Sequence, residues 1–232
     1  MNSSTSFKLL LCLLISTFVA LPISPAVSFA NNYAADNVAN NAISDEIDEN
    51  EPNVLDELNP FAPDIEQQLE RLDREYKNET DKSPWVEGTG PNAQVAPGNT
   101  CYRSSCKVYI RVRKSEQRMY LYVDGNPYGE YLVSSGAPGR ETPNFDKHPN
   151  GRIYDKYSSR TYPGGDYQGL GNMPYAIFIH GGFALHGTTK GNFKYLGRKA
   201  SHGCIRLHPD NAFIVNRLVR EHGIYNTWIH ID

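Results

Sequence analysis

In KVYIRVR, residues 107–113, apolar Val108, Ile110 and Val112 alternate with Tyr109 and Arg111. A period of two sends alternate side chains to opposite faces, so this stretch predicts a half-buried strand. QRMYLYV repeats the pattern through Met119, Leu121 and Val123, and Asp124-Gly125 turns the chain into a third strand, YGEYLVS, at 128–134. AIFIH at 176–180 predicts another strand, and Phe183 to His186 continues beyond the Gly181-Gly182 bend. Cys204 to Leu207 is a short strand, and NTWIHI is the closing one. Between them Pro209 opens a helix in PDNAFIVNRLVREH, with Ala212, Val215 and Val219 on one side and Gly223 as its stop. Residues 101–232 therefore read as one mainly β domain with one principal helix.

Two segments break the alternation. Gly136 to Pro174 is rich in Gly, Pro, Asn and Tyr and exceeds an ordinary connection, so it is functional or holds elements that the pattern does not reveal. Its Tyr154, Tyr157, Tyr162 and Tyr167 fit either a cap over a groove or surface packing. Upstream, PDIEQQLERLDREYK at 63–77 changes the period: Ile65, Leu69, Leu72 and Tyr76 form one helical stripe behind Pro63. A lone short helix of this kind docks on the domain, pairs with a second copy, or forms only in part. Residues 31–62 are acidic, rich in Asn and poor in large apolar groups, which predicts disorder. Residues 78–100, with Pro84, Gly88, Gly90, Pro91, Pro97 and Gly98, read as a linker.

The first thirty residues follow a different logic. Lys8 precedes an apolar run from Leu9 to Ile23, and Ser28-Phe29-Ala30 gives a small-residue cleavage pattern. This predicts a secretory signal peptide cut after Ala30, with an uncleaved membrane anchor as the alternative. Cys12, preceded by leucines inside the run, makes a poor lipoprotein site. An exported chain places the protein in the periplasm or cell envelope.

Charge sharpens the division. Residues 31–100 carry sixteen acidic and four basic side chains, whereas 101–232 carry ten acidic and eighteen basic ones. The basic half of an exported chain suits an anionic polymer or surface, or is simply a solvated face; no nucleic-acid motif accompanies it. The opposite signs also raise contact between the acidic extension and the basic domain, and with it inhibition. Oligomeric state is not legible.

Cysteine count leads to the chemistry. Beyond Cys12 the chain has Cys101, Cys106 and Cys204. In an oxidising compartment CYRSSC can close a small loop, which leaves Cys204 as a thiol. Cys204 lies in SHGC, after a segment that also contains His186. A cysteine nucleophile needs nearby backbone donors or a cation, and a histidine to move its proton. Gly203 allows close backbone approach, and amides around Gly203 and Cys204 can face an oxyanion. His202 shares a face with Cys204 if the segment is extended, while His186 reaches it only if the intervening loop folds back over Gly187, Gly191 and Gly197. Spacing leaves both histidines open as the base. A zinc site drawn from His180, His186, His202, Cys204 and His208 fits no compact ligand spacing, and histidines held simply within a core are a further alternative.

HGT, a loop and then SHGCIRL resemble the signature of the L,D-transpeptidase catalytic-domain family. SEQRMYLYV, LVSSGAPGRETP and MPYAIFIHGGFALHG extend the resemblance over roughly residues 107–220. It implies an L,D-transpeptidase-like β-sandwich with one principal α-helix beside the catalytic segment. It also implies Cys204 as nucleophile, His186 as base oriented around Gly187 or Thr188, and His202 with Gly203 shaping the oxyanion pocket. Ser201 would hold that turn, and Arg206 would steady the nucleophile loop or a substrate carboxylate. The implied donor is a peptidoglycan tetrapeptide stem; the acceptor is a diaminopimelate amine or an envelope-protein lysine, and no cofactor is required. Water or a free D-amino acid would use the same acyl-enzyme. Lys190, Lys194, Arg198 and Lys199, between base and nucleophile, are candidates to flank the groove. The sequence departs from the family after Thr142-Pro143, where the glycine expected soon after is delayed. A wall-binding protein that retains the fold is the competing class.

Overall fold

The computed structural model describes residues 58–86, 101–157 and 165–232, all within one compact unit, Ile47–Asp232. The signal peptide, most of the acidic region, residues 87–100 of the linker and Tyr162 lie outside the described residues.

Eight strands make one hydrogen-bonded order, β4-β8-β1-β2-β3-β7-β6-β5. They are β1 (Val108–Arg113), β2 (Arg118–Val123), β3 (Asn126–Ser134), β4 (Phe145–Lys147), β5 (Ile177–His180), β6 (Phe183–Gly187), β7 (Ile205–Leu207) and β8 (Thr227–Ile231). Asp124 and Gly125 both take positive φ, 51° and 74°, the conformation a two-residue hairpin needs. β3 is long enough to serve two partners: its first part pairs with β2, while Val133 and Ser134 pair with β7. The β1–β8 and β6–β7 pairs are parallel and the others antiparallel.

The two halves of this order share one core. Val108, Ile110, Val112, Met119 and Leu121 from one half meet Ile177, Ile179, Leu185, Ile205 and Leu207 from the other. Helix α2 (Pro209–His222) adds Ala212, Val215 and Val219 to the same cluster. Its first turn is capped by the His208 side chain, and Gly223 follows its last residue.

A second cluster lies on the opposite face of β5–β7. Ala176, Phe178, Ala184 and Cys204 point there, alternating with the core residues just named. Helix α1 (Ile65–Thr80) covers them with Leu69, Leu72 and Tyr76. The helix runs three residues past the end read from its stripe, and Asp81 closes it in a left-handed conformation with its N–H on the Lys77 carbonyl. An isolated 16-residue helix is marginal in water. Burial of Leu69 and Leu72, at about 1.5–3 kcal/mol each, is what fixes it here.

Three expectations need correction. Leu58 to Ala62 belong to the packed body: Leu58 and Pro60 are buried, against a composition that predicts disorder. Composition counts apolar groups along the chain and does not register that a few of them meet a ready-made apolar face. Trp85 bridges to Arg152, so the linker is attached to the domain at that point. Finally, Tyr154 and Tyr157 are core residues, stacked edge-on with each other at 5.0 Å and against Phe178, and not surface packing.

Candidate active site

The parallel β6–β7 ladder sets Leu185 opposite Ile205 and His186 opposite Arg206. Leu185, Ile205 and Leu207 point into the main core, and alternation turns Ala184, His186, Cys204 and Arg206 to the other face. Cys204 immediately precedes β7, two residues before the Arg206 that pairs with His186, so the two residues stand on the same side of neighbouring strands, offset along them. The loop between them folds back through a short 3-10 segment, Lys190–Tyr195.

His186 is fully buried, and its Nδ1 lies 2.8 Å from the Gly187 carbonyl oxygen. A carbonyl only accepts, so Nδ1 carries the proton and Nε2 is the basic nitrogen. Gly187 is required by space: a β-carbon there would stand 2.9 Å from the Pro209 backbone and 3.0 Å from the Pro174 ring.

The turn that leads into Cys204 is closed by Ser201. Its hydroxyl donates to the Cys204 carbonyl at 2.6 Å and accepts the Gly203 N–H at 3.1 Å. Gly203 adopts φ +123°, open to glycine and strained for other residues. The Gly203 amide thus already has the Ser201 hydroxyl as an acceptor. Thr142 binds the turn from outside: its hydroxyl donates to the Gly203 carbonyl at 2.7 Å and accepts the Gly136 N–H at 3.0 Å. Sequence reasoning assigned Thr142 no role, although it stands in the TP stretch that carried part of the resemblance. Arg206 is fully buried, and its Nη1 donates to the Ala200 carbonyl at 3.1 Å, at the foot of the same turn.

Cys204 itself is 2 % exposed, and its Sγ lies 3.5 Å from the Gly182 carbonyl. Cys101 and Cys106 are joined in a disulfide, which leaves Cys204 as the cysteine outside any disulfide among the described residues. Tyr157 is buried beside it, and burial first and the neighbouring sulfur second push the phenol well above its ordinary value. It is therefore a neutral hydroxyl at neutral pH. His202 is half-buried beside the turn. Of the other histidines, His180 is exposed against Phe145 and His208 caps α2, so the set considered for zinc is dispersed. Among the described residues no three His, Cys, Asp or Glu side chains are grouped to hold a metal ion. Lys190, Lys194, Arg198 and Lys199 are all exposed.

No curated protein matches the chain. Similar solved structures include an L,D-transpeptidase from Mycobacterium smegmatis, 21 % identical over 55 % of this chain and 59 % of that one, with a TM-score of 0.40. Another is from Mycobacterium tuberculosis H37Rv, 19 % identical over 55 % and 58 %, TM-score 0.42. A third, from Stackebrandtia nassauensis, is 19 % identical over 60 % and 62 %, TM-score 0.43. The chain thus spans about three fifths of the length of these relatives. The family model of the L,D-transpeptidase catalytic domain matches residues 107–223, half of the chain and the whole of the site just described, and the chain belongs to that family.

Proposed function

We propose that the protein is an exported cysteine acyltransferase that forms peptidoglycan cross-links through a thioester on Cys204. The observation that supports the reading is the β6–β7 register: His186, its Nδ1 2.8 Å from the Gly187 carbonyl, pairs with Arg206, two residues after Cys204. The donor is the L,D bond of a tetrapeptide stem. His186 Nε2 takes the Cys204 proton, and the thiolate attacks the carbonyl carbon of that bond. The tetrahedral oxyanion is held by the Cys204 amide and by donors near His202. As the C–N bond breaks, His186 returns the proton to the departing D-alanine amine, which leaves a thioester. An acceptor amine then attacks the thioester, gives its proton to His186 and releases the thiolate. His186 needs no carboxylate partner for this, because the Gly187 carbonyl already fixes its tautomer.

The acceptor is a diaminopimelate amine of a second stem or a lysine of an envelope protein. Export is supported by the apolar run at 9–23 and by the Cys101–Cys106 disulfide, which suits an oxidising compartment. Among the described residues no helix is long and apolar enough to cross a membrane.

The test is incubation of the purified chain with a disaccharide-tetrapeptide, with products weighed by mass spectrometry. Release of D-alanine by the chain and not by Cys204→Ala is expected, and a diamine added as acceptor should appear in the product. Release to water alone would make it a carboxypeptidase. Tight wall binding without turnover in either protein would replace the enzyme with a binding protein. Imipenem is bound by one structurally similar L,D-transpeptidase, so a carbapenem adduct on Cys204 is a second readout.

A further inference from the structure

The face that carries Cys204 and His186 is covered by the chain's own N-terminal segment. A β-carbon on Gly203 would lie 2.9 Å from both the Pro60 ring and the Phe61 ring, and one on Gly182 would lie 2.7 Å from Ile65 and 2.8 Å from Pro60. Phe61 meets Phe183 of β6 edge-on at 5.2 Å. The two backbone walls beside the thiol, Gly182 and Gly203, are therefore both pressed by Pro60, Phe61 and Ile65. A stem peptide approaching that side would have to occupy the same space.

The cover is latched by charge. Arg152 is buried, and its guanidinium donates to Glu66 and Asp73 of α1, both at 3.2 Å, while it lies 4.7 Å over the Trp85 ring. Asp73 also accepts from the Tyr154 hydroxyl. Gly182 adds a chemical effect. Its carbonyl takes the Cys204 S–H at 3.5 Å, a contact only the protonated thiol can make, and Ile65 and Pro60 pack against that same glycine.

From these contacts we propose that Leu58–Thr80 is an autoinhibitory plug: it shuts the nucleophile away as a thiol, and it must swing off its Arg152 latch before a donor can bind. The proposal rests on the acyl-transfer reading for what it inhibits, although the closure itself does not.

Accessibility of the thiol tests the plug without any substrate. The purified chain, a Phe61→Ser/Ile65→Ser variant and Glu66→Gln are treated with iodoacetamide, and modification of Cys204 is followed by intact-mass spectrometry. Both variants should react at least about tenfold faster than the parent, since the reactive population is the fraction of molecules that are open. Equal rates in folded variants, or a parent that reacts as fast as the urea-unfolded chain, overturn the plug. If a variant unfolds, hydrogen exchange on the parent decides: adding the disaccharide-tetrapeptide should speed exchange of amides 65–80, and unchanged or slower exchange overturns it. Faster alkylation in variants that release no D-alanine would keep the plug and reject the enzyme. Full turnover by the parent with no change in alkylation among the variants would do the reverse.

Discussion

His186 and Arg206 stand opposite each other in the parallel β6–β7 ladder, both fully buried on the face that Cys204 shares. One orients toward the Gly187 carbonyl and the other toward the Ala200 carbonyl, so His186 and the turn before Cys204 are anchored from neighbouring strands. Arg206→Met keeps most of the volume and removes the donors, which leaves the Ala200 carbonyl unsatisfied. Loss of a hydrogen bond from a charged donor costs about 1.5–3 kcal/mol. Urea denaturation should show that loss, and Arg206→Lys should not restore it, because an ammonium lacks the planar fork of guanidinium.

Thr142 acts on the same turn from a distant point in the chain. Its hydroxyl joins the Gly203 carbonyl to the Gly136 amide. Thr142→Val preserves the shape and deletes both bonds inside a buried site, at about 1–3 kcal/mol. The consequence for chemistry should exceed the one for folding: carbapenem acylation of Cys204 should slow by about tenfold or more, because small displacements of a reacting group are amplified in rate. An unchanged acylation rate in a folded Thr142→Val would remove Thr142 from the positioning of Cys204.

How much of this was legible depended on how local each signal was. Strands β1, β2 and β3 announce themselves by alternation, and α2 by Pro209 at one end and Gly223 at the other. β4 carries a single buried residue, Phe145, in three, too few for a period; it exists because β8 offers an edge. Tyr154 and Tyr157 sit in a Gly- and Pro-rich stretch whose composition suggests a loop, yet tertiary packing buries them. At the site, HGT and SHGC singled out His186 and Cys204 as candidates, whereas the Thr142–Gly203 bond spans 61 positions and leaves no local trace. The cover of Gly182 and Gly203 by Pro60 and Phe61 was hidden for the same reason.

The Cys101–Cys106 bridge makes a separate prediction. The bridged residues are five apart, so the closed loop is small and the chain-entropy contribution is about 2 kcal/mol. Replacing both cysteines by serine should lower the melting temperature by about 4–8 °C for a protein of this size. Carbapenem acylation of Cys204 should stay unchanged at temperatures where the variant is folded, since the bridge lies beside β1 and β8, away from the β6–β7 site. A loss of acylation in the folded variant would show that the bridge shapes the site.

Asp146 governs an acid limb of stability. The Arg103 hydrogen bond, helped by the Trp228 N–H, holds its carboxyl down at about 2 from an ordinary 3.8. A folded value below the unfolded one means that the native state binds its proton later. The stabilisation is therefore present above about pH 4 and lost as the pH falls through about 2. Both partners are more than a third exposed, so solvent screening limits the effect to about 1 kcal/mol or less. Asp146→Asn should flatten the stability profile between about pH 4 and pH 2 and lower stability slightly at pH 7, measured by urea denaturation across that range. An acid limb as steep in Asp146→Asn as in the parent would assign it to other carboxylates, such as Asp232, which Arg111 also holds below its ordinary value against the opposing effect of burial.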